Sequence, residues 1–277
     1  MRSRKSRIIT SITVWCLVIL ILLIFDLPII NTIITSLKSN ADISSSPPRW
    51  IFNPISDHYK NVLYAAGFPF PKFFRNSLYV SLFATLLTLA LCFPAAYSIA
   101  RFGTGGKTLL PFAVSLRLLP PIMFVIPLYI LLGKTGLVDT VSGLVLVNTL
   151  VNVPLALLVL VSFIQDLPRE IEEAAMIDGC SIWNMIFLIV LPLTLPGISA
   201  VAMLTFIWSW NEYLFALILT INRATTVTVG ASLFVTAWGI KWGEIAAAIS
   251  LSIIPILIFI VWVQKYLVRG LTLGAIK

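Results

Sequence analysis

Residues 76–100, NSLYVSLFATLLTLALCFPAAYSIA, run for 25 positions without a charged side chain. At 1.5 Å per residue a helix of this length crosses the roughly 30 Å hydrocarbon core of a bilayer, which needs only about 20 apolar residues. Five further stretches of comparable character flank it. The first is Ile8–Thr35, interrupted by Asp26 and Pro28, and the third is Thr108–Leu132 with the single charge Arg117. The fourth is Thr140–Gln165, the fifth Pro192–Ile221 with Glu212, and the sixth Ile245–Gln264. The pattern predicts an all-α membrane protein with six transmembrane helices.

Bulk composition agrees. Of 277 residues, 59% are hydrophobic and only 11% charged, against about 25% charged in soluble domains, and the mean hydropathy is +1.03. That balance excludes a soluble globular protein, and it is too apolar for a disordered chain. The net charge of +8 would hint at nucleic acid in a soluble protein; here it reports orientation. With the N-terminus inside, ten Lys and Arg fall on the cytoplasmic side and eight outside, and Arg2, Arg4, Lys5 and Arg7 crowd the first seven residues. The positive-inside rule favours both termini in the cytoplasm. The basic start followed by an apolar run resembles a signal peptide, but the run is about twice the usual 7–15 residues, so an uncleaved first span is expected.

Cys16, Cys92 and Cys180 are scattered and suggest neither a disulfide framework nor a metal site. His58, without a second His or Cys nearby, reads as a solvated loop histidine. Three parts are expected: residues 1–72 hold the tail, first span and outer connection, 73–268 the five-span core, and 269–277 a cytoplasmic tail. The outer connection Ser36–Lys72 opens with Ser44-Ser45-Ser46-Pro47-Pro48 as irregular chain, and Asp57–Tyr64 is expected as a short helix. The connection Asn222–Gly243, with Trp238 and Trp242, suits the membrane interface or a dip into the protein.

The cytoplasmic connection 166–191 differs from the rest. Asp166, Glu170, Glu172, Glu173 and Asp178 are five of the chain's eleven acids, opposed within the segment only by Arg169. Asp166 is placed to cap a helix and Pro168 to occupy its first turn. Gly179 supplies the turn after it, and Ser181 caps a second helix from Ile182 to Val190. Ala174, Ala175 and Gly179 offer a small-residue surface for a partner; a solvated connection is the plainer alternative.

Glu173-Ala174-Ala175, three residues, Gly179, nine residues, then Ile189-Val190-Leu191-Pro192 resembles the EAA motif of ABC importer permeases. Trp210-Asn211-Glu212-Tyr213-Leu214 and the terminal Arg269–Lys277 resemble the carbohydrate branch, in particular the maltose-transporter-type inner-membrane subunits. The resemblance implies a type I importer architecture in the plasma (inner) membrane of a prokaryote. It implies pairing with a second permease subunit, two ATPase subunits that bind ATP and Mg, and an extracytoplasmic solute-binding protein, with no cofactor held by this chain. Carried over, Glu173, Ala174, Ala175, Asp178 and Gly179 would couple to an ATPase. Leu271, Thr272 and Gly274 in the tail would contact it.

Gly103-Thr104-Gly105-Gly106-Lys107-Thr108 ends like a phosphate-binding loop, but the required earlier Gly is Arg101 and no strand precedes it. It reads as a turn, so the energy must come from a partner or a gradient. Charges within a span cost about 2.5–3.5 kcal/mol on insertion scales and mark functional suspects. Trp208, Asn211, Glu212 and Tyr213 are candidates for the solute path, because aromatic faces beside hydrogen-bonding groups suit sugars. An interfacial aromatic belt with a polar packing contact explains them equally. Asp26 and Arg117 read as a structural ion pair or a polar contact at a permease interface. The runner-up function is an ion-gradient-driven secondary transporter using Asp26, Arg117 and Glu212 as a relay. A membrane enzyme lacks the inventory: one histidine and no zinc-protease or nucleophile motif.

Overall fold

Apolar runs of this length form helices because a bilayer leaves backbone polar groups no partner but each other. The computed structural model describes residues 4–64, 68–236 and 239–273, with side chains from Thr13 to Tyr266. Its helices are α1 (Arg4–Ser36), α2 (Asn40–Ile43), α3 (Asp57–Tyr64), α4 (Phe70–Phe102), α5 (Leu109–Leu116), α6 (Ile122–Lys134) and α7 (Val141–Gln165). There follow α8 (Arg169–Ile177), α9 (Ile182–Met185), a π-helical turn (Ile186–Val190), α10 (Leu191–Leu193), α11 (Leu195–Trp210), α12 (Leu214–Leu219) and α13 (Val227–Ser232). A two-residue hairpin, β1 (Val235–Thr236) with β2 (Gly239–Ile240), pairs Val235 with Ile240 and precedes α14 (Trp242–Leu273).

Among the described residues four helices are long and apolar enough to span a membrane, and a fifth span arises if the bent pair Ile182–Leu193 and Leu195–Trp210 is taken as one. The expected first, second, fourth and sixth spans are α1, α4, α7 and α14. The expected third span is broken. Pro120 and Pro121 lack the N–H that continues a helix and push the preceding residue out of the helical region, so α5 stops at Leu116 and α6 starts at Ile122. The expected fifth span bends by 73° at Thr194, between Pro192 and Pro196, and breaks again after Trp210.

The chain divides into two compact units. One comprises residues 1–69 and 231–252. Within it His58 is buried, which corrects the solvated-loop expectation. Its Nε2 lies 2.9 Å from the Lys38 carbonyl oxygen and its Nδ1 3.4 Å from Glu244 Oε2. Asn61 Nδ2 donates to the other Glu244 oxygen at 3.2 Å. A side chain at Gly243 would collide with the imidazole. His58 is thus a core histidine, hydrogen-bonded through Nε2 while its Nδ1 faces the Glu244 carboxylate without a hydrogen bond among the described residues, and α3 forms over the residues expected.

The other unit comprises residues 70–230 and 253–277. Here α4 lies against α7, α11 packs on both, α5 on α7, and α12 on α6 and α7. Phe93, Ala96, Tyr97, Leu160, Ile164 and Val201 lie in one buried cluster; Val80, Leu144, Val147 and Phe215 lie in a second. Thr140 caps α7 by accepting the Gly143 N–H at 3.0 Å.

Just before it, Asp139 sits at φ +56°, a conformation Asp tolerates better than most residues. Its carboxylate accepts the N–H groups of Ile221, Asn222, Arg223 and Ala224 at 3.0–3.2 Å. From the other side Asn76 Nδ2 donates to the Arg223 and Thr225 carbonyls at 2.9 Å. Partial burial pushes the Asp139 carboxyl up, but the backbone donors from Ile221, Ala224, Arg223 and Asn222 together outweigh it and hold it below its ordinary value of 3.8. A depressed carboxyl stabilises the fold above its unfolded-state pKa and loses that contribution as pH falls through the folded value. Asp139→Asn is therefore expected to lower the thermal midpoint at pH 7, with the gap to wild type narrowing below about pH 3.8. Melting curves of the detergent-solubilised protein between pH 7 and pH 3 check this, and a pH-independent gap would contradict it.

Candidate functional site

The acidic segment after α7 folds as two short helices. Asp166 closes α7 rather than capping the next helix: its own N–H bonds to the Ser162 carbonyl, and Pro168 occupies the N-cap of α8 without a side-chain cap. At the far end Gly179 has φ +82°. The Cys180 N–H bonds to the Ala175 carbonyl and the Gly179 N–H to Met176, each at 3.0 Å. Those two bonds are the Schellman closure that a left-handed residue permits. Ser181 then caps α9 through the Asn184 N–H at 3.3 Å.

Glu170 and Glu172 lie in the first turn of α8, where the helix dipole favours anions. Glu172 turns inward and is buried. Tyr97 Oη donates to its Oε2 at 2.7 Å, and Arg101 Nε donates to its Oε1 at 2.6 Å. Arg101 Nη2 also donates to the Leu167 carbonyl at 3.0 Å. The Arg101 and Glu172 side chains are each 7% exposed. Tyr97 and Arg101 are four residues apart, hence on one face of α4, and they fasten α8 to that helix. Among the described residues Arg169 pairs with none of these acids; the charge that compensates Glu172 comes from α4.

Of the expected coupling residues, Glu173, Ala174, Asp178 and Gly179 are exposed. Ala175 is the correction: it is 8% exposed and packs in the core cluster with Tyr97, Ala100, Met185 and Ile186. It therefore seats α8 rather than offering a surface. Apolar side chains accompany the exposed set. Met176, Ile177, Ile182 and Trp183 are uncovered, and Trp183 stacks on Phe187 with ring centroids 6.2 Å apart. This exposed face, mixed apolar and acidic, sits on a segment anchored by a buried ion pair.

The second candidate site is the break between α11 and α12. Trp208, Asn211, Glu212 and Tyr213 all line one cavity of about 460 Å³, together with Pro121, Val151, Ile207, Leu214 and Phe215. The four expected solute-path residues are thus brought together. Their roles differ. Asn211 Nδ2 turns back to the Ile207 carbonyl at 2.9 Å. Glu212 accepts the Phe215 N–H on Oε1 at 2.7 Å and the Ala216 N–H on Oε2 at 2.9 Å, so its carboxylate caps α12. Asn152 of α7 donates to Ser209 Oγ at 3.1 Å, holding α11 to α7 behind the cavity. The Arg117 Cζ stands 4.6 Å from the centre of the Trp208 ring. Neither Arg117 nor Asp26 forms an ion pair among the described residues, so of the two expected alternatives an ion pair within this chain is not formed there. Leu271 and Thr272 fall where side chains are not described, and Gly274 lies outside the described residues. The turn 103–108 has Gly103, Gly105 and Gly106 at positive φ, a conformational reason for its glycines.

The chain thus combines long apolar helices, an exposed segment anchored by a buried ion pair, and an aromatic-lined cavity at a helix break. The chain belongs to the family of binding-protein-dependent transport system inner membrane components, which residues 91–273 match. It is 36% identical over 262 residues to the trehalose/maltose transport system permease protein MalG of Thermococcus litoralis, covering 94% of each chain. It is 34% identical over 253 residues to the sulfoquinovosyl glycerol transport system permease protein SmoH of Agrobacterium fabrum, covering 90% of this chain and 88% of that one. Its fold is similar to a chain in the crystal structure of a bacterial ABC transporter involved in the import of the acidic polysaccharide alginate. The TM-score is 0.75 at 21% identity, over 96% of this chain and 99% of that chain. The resemblance read from the EAA pattern is borne out at the level of the family.

Removing one member of a buried ion pair strands the other charge, at a cost of about 3–5 kcal/mol. Glu172→Gln and Arg101→Gln are each expected to lower the melting temperature clearly. The double variant should lose much less than their sum, the signature of directly coupled residues. Additive losses in detergent melting curves would mean that the pair does not hold α8.

Proposed function

We propose that this chain is the permease subunit of an ATP-driven importer for a sugar or sugar derivative, working in a prokaryotic plasma membrane. It forms the translocation path with a second permease; two ATPase subunits, holding ATP and Mg, dock beneath, and an extracytoplasmic binding protein delivers the solute. The six-span reading with both termini cytoplasmic belongs to this proposal, with the broken segment Thr108–Leu132 and the bent segment ending near Ile221 each crossing once. The observation that carries it is the exposed α8–α9 segment fastened to α4 through Glu172 and Arg101.

The physics of coupling supports this. A ligand shifts a conformational equilibrium only through different affinities for the two states. Closure of an ATPase dimer moves a permease only if the docked element is stiff, and the buried charge pair supplies stiffness. Glu173, Ala174, Asp178 and Gly179 would face the ATPase while Ala175 holds the helix seated; Leu271, Thr272 and Gly274 would add contacts from the tail. Sugar as solute is supported by the transport functions of the two relatives and by the aromatic cavity at the helix break. An ion-gradient mechanism is disfavoured because Glu212, its central relay group, commits both carboxylate oxygens to backbone amides.

The test uses the assembled transporter in proteoliposomes. Uptake of labelled sugar is expected to require ATP and to survive collapse of proton and sodium gradients; dependence on a gradient instead would overturn the reading. Gly179→Asp isolates the coupling surface. Asp tolerates a left-handed backbone better than most residues, and a Cβ at this position meets no atom of the chain within 4 Å. That variant is expected to insert normally and lose at least tenfold in uptake. Undiminished uptake at equal expression would refute the assignment of Gly179 to the docking face.

A further inference from the structure

The cavity at the α11–α12 break has a charged neighbour. A second cavity of about 170 Å³, lined by Arg117, Leu119, Phe124, Leu128, Val151 and Phe215 among others, shares Pro121, Val151 and Phe215 with the first. The break after α5 puts Arg117 at the C-cap, with its own N–H bonded to the Val114 carbonyl at 3.1 Å. Its guanidinium lies over Trp208, 4.6 Å from the ring centre. Trp208 in turn lines the larger cavity, so one indole joins the cation to the candidate solute path.

Among the described residues no carboxylate pairs with Arg117. Its Nη1 is closed off from solvent without a hydrogen-bond partner. The acid nearest in function, Glu212, spends both oxygens on the Phe215 and Ala216 amides. Arg49 and Arg101 by contrast have carboxylate partners. A cation-π contact holds a guanidinium in place and leaves its edge N–H groups free to bond an anion. An arginine held inside an apolar segment at a cost of about 2.5–3.5 kcal/mol is explained if it meets a negative charge during the transport cycle.

Resting on the sugar-importer reading, we infer that Arg117 and Trp208 form a subsite for an anionic group of the solute. The solute is then an acidic sugar, carrying a carboxylate or sulfonate. The sugar ring stacks on the aromatic wall of the larger cavity, and the acid group bonds the guanidinium edge from the smaller one. The apolar lining strengthens that bond by excluding water.

The experiment measures uptake by the complete transporter, with its binding protein, in proteoliposomes. The probes are matched pairs of disaccharides, each as the neutral sugar and as the uronic acid or 6-sulfonate. Wild type is expected to take up acidic members. Arg117→Gln should reduce their uptake at least tenfold through a raised KM, and Arg117→Lys should stay within about fivefold of wild type. The melting temperature of Arg117→Gln should not fall, because the substitution removes an uncompensated charge. Uptake of neutral members only would overturn the acidic subsite while leaving the sugar importer standing. Equal loss of both forms in Arg117→Gln would overturn it too, since a lipid phosphate or a partner-subunit carboxylate bound by Arg117 acts regardless of the solute's charge. Uptake of no sugar, alongside ATP-driven uptake of another solute class, would remove both readings.

Discussion

Every backbone N–H and C=O in an apolar solvent must find its partner within the protein, and this fold departs from straight spans in several places. Each departure uncovers backbone groups that side chains then satisfy. Glu212 takes the first amides of α12. Asp139 gathers four consecutive N–H groups where the chain turns after Thr220. Thr194 donates to the Val190 and Leu191 carbonyls at the 73° bend, and Arg101 reaches the Leu167 carbonyl below α7. Glu212, Asp139 and Arg101 thus sit where helices end, and the cavities lie beside the α5–α6 and α11–α12 breaks.

The same economy shapes the α8–α9 segment. An acidic surface loop would ordinarily be mobile and solvated. Here one of its acids is taken out of the surface and paired with an arginine from another helix, and Ala175 is taken into the core. What remains outside is a short, fixed ledge of small, acidic and apolar side chains. Rigidity and exposure therefore come from neighbouring positions of one helix: Glu172 and Ala175 face in, Glu173 and Ala174 face out, as a 3.6-residue period demands.

Much of this was legible in the sequence. Long apolar runs announce helices without ambiguity, which is why α4, α7 and α14 and the family motif could be read directly. The turn at Gly179 and the cap at Ser181 were legible because they are local. Partnerships across sequence were not. Glu172 looked like one of several loop acids because Arg101 lies 71 residues away. His58 looked solvated because Glu244 and the Lys38 carbonyl are distant in sequence. The break at Arg117 was masked by the hydrophobicity of its flanks, although Pro120-Pro121 was the available signal. Asp139 had none beyond its place in a short connection.

The π-helical turn at Ile186–Val190 sits between the ledge and the bend. Such a turn amounts to one residue inserted into an otherwise regular helix. Each residue of an α-helix advances the direction of its side chains by about 100°. The turn is therefore a phase offset: it sets the azimuth of Trp183 and its neighbours independently of the helix that continues beyond Leu191. Two faces that must each be right, one toward the core and one toward a partner, need not share a single register.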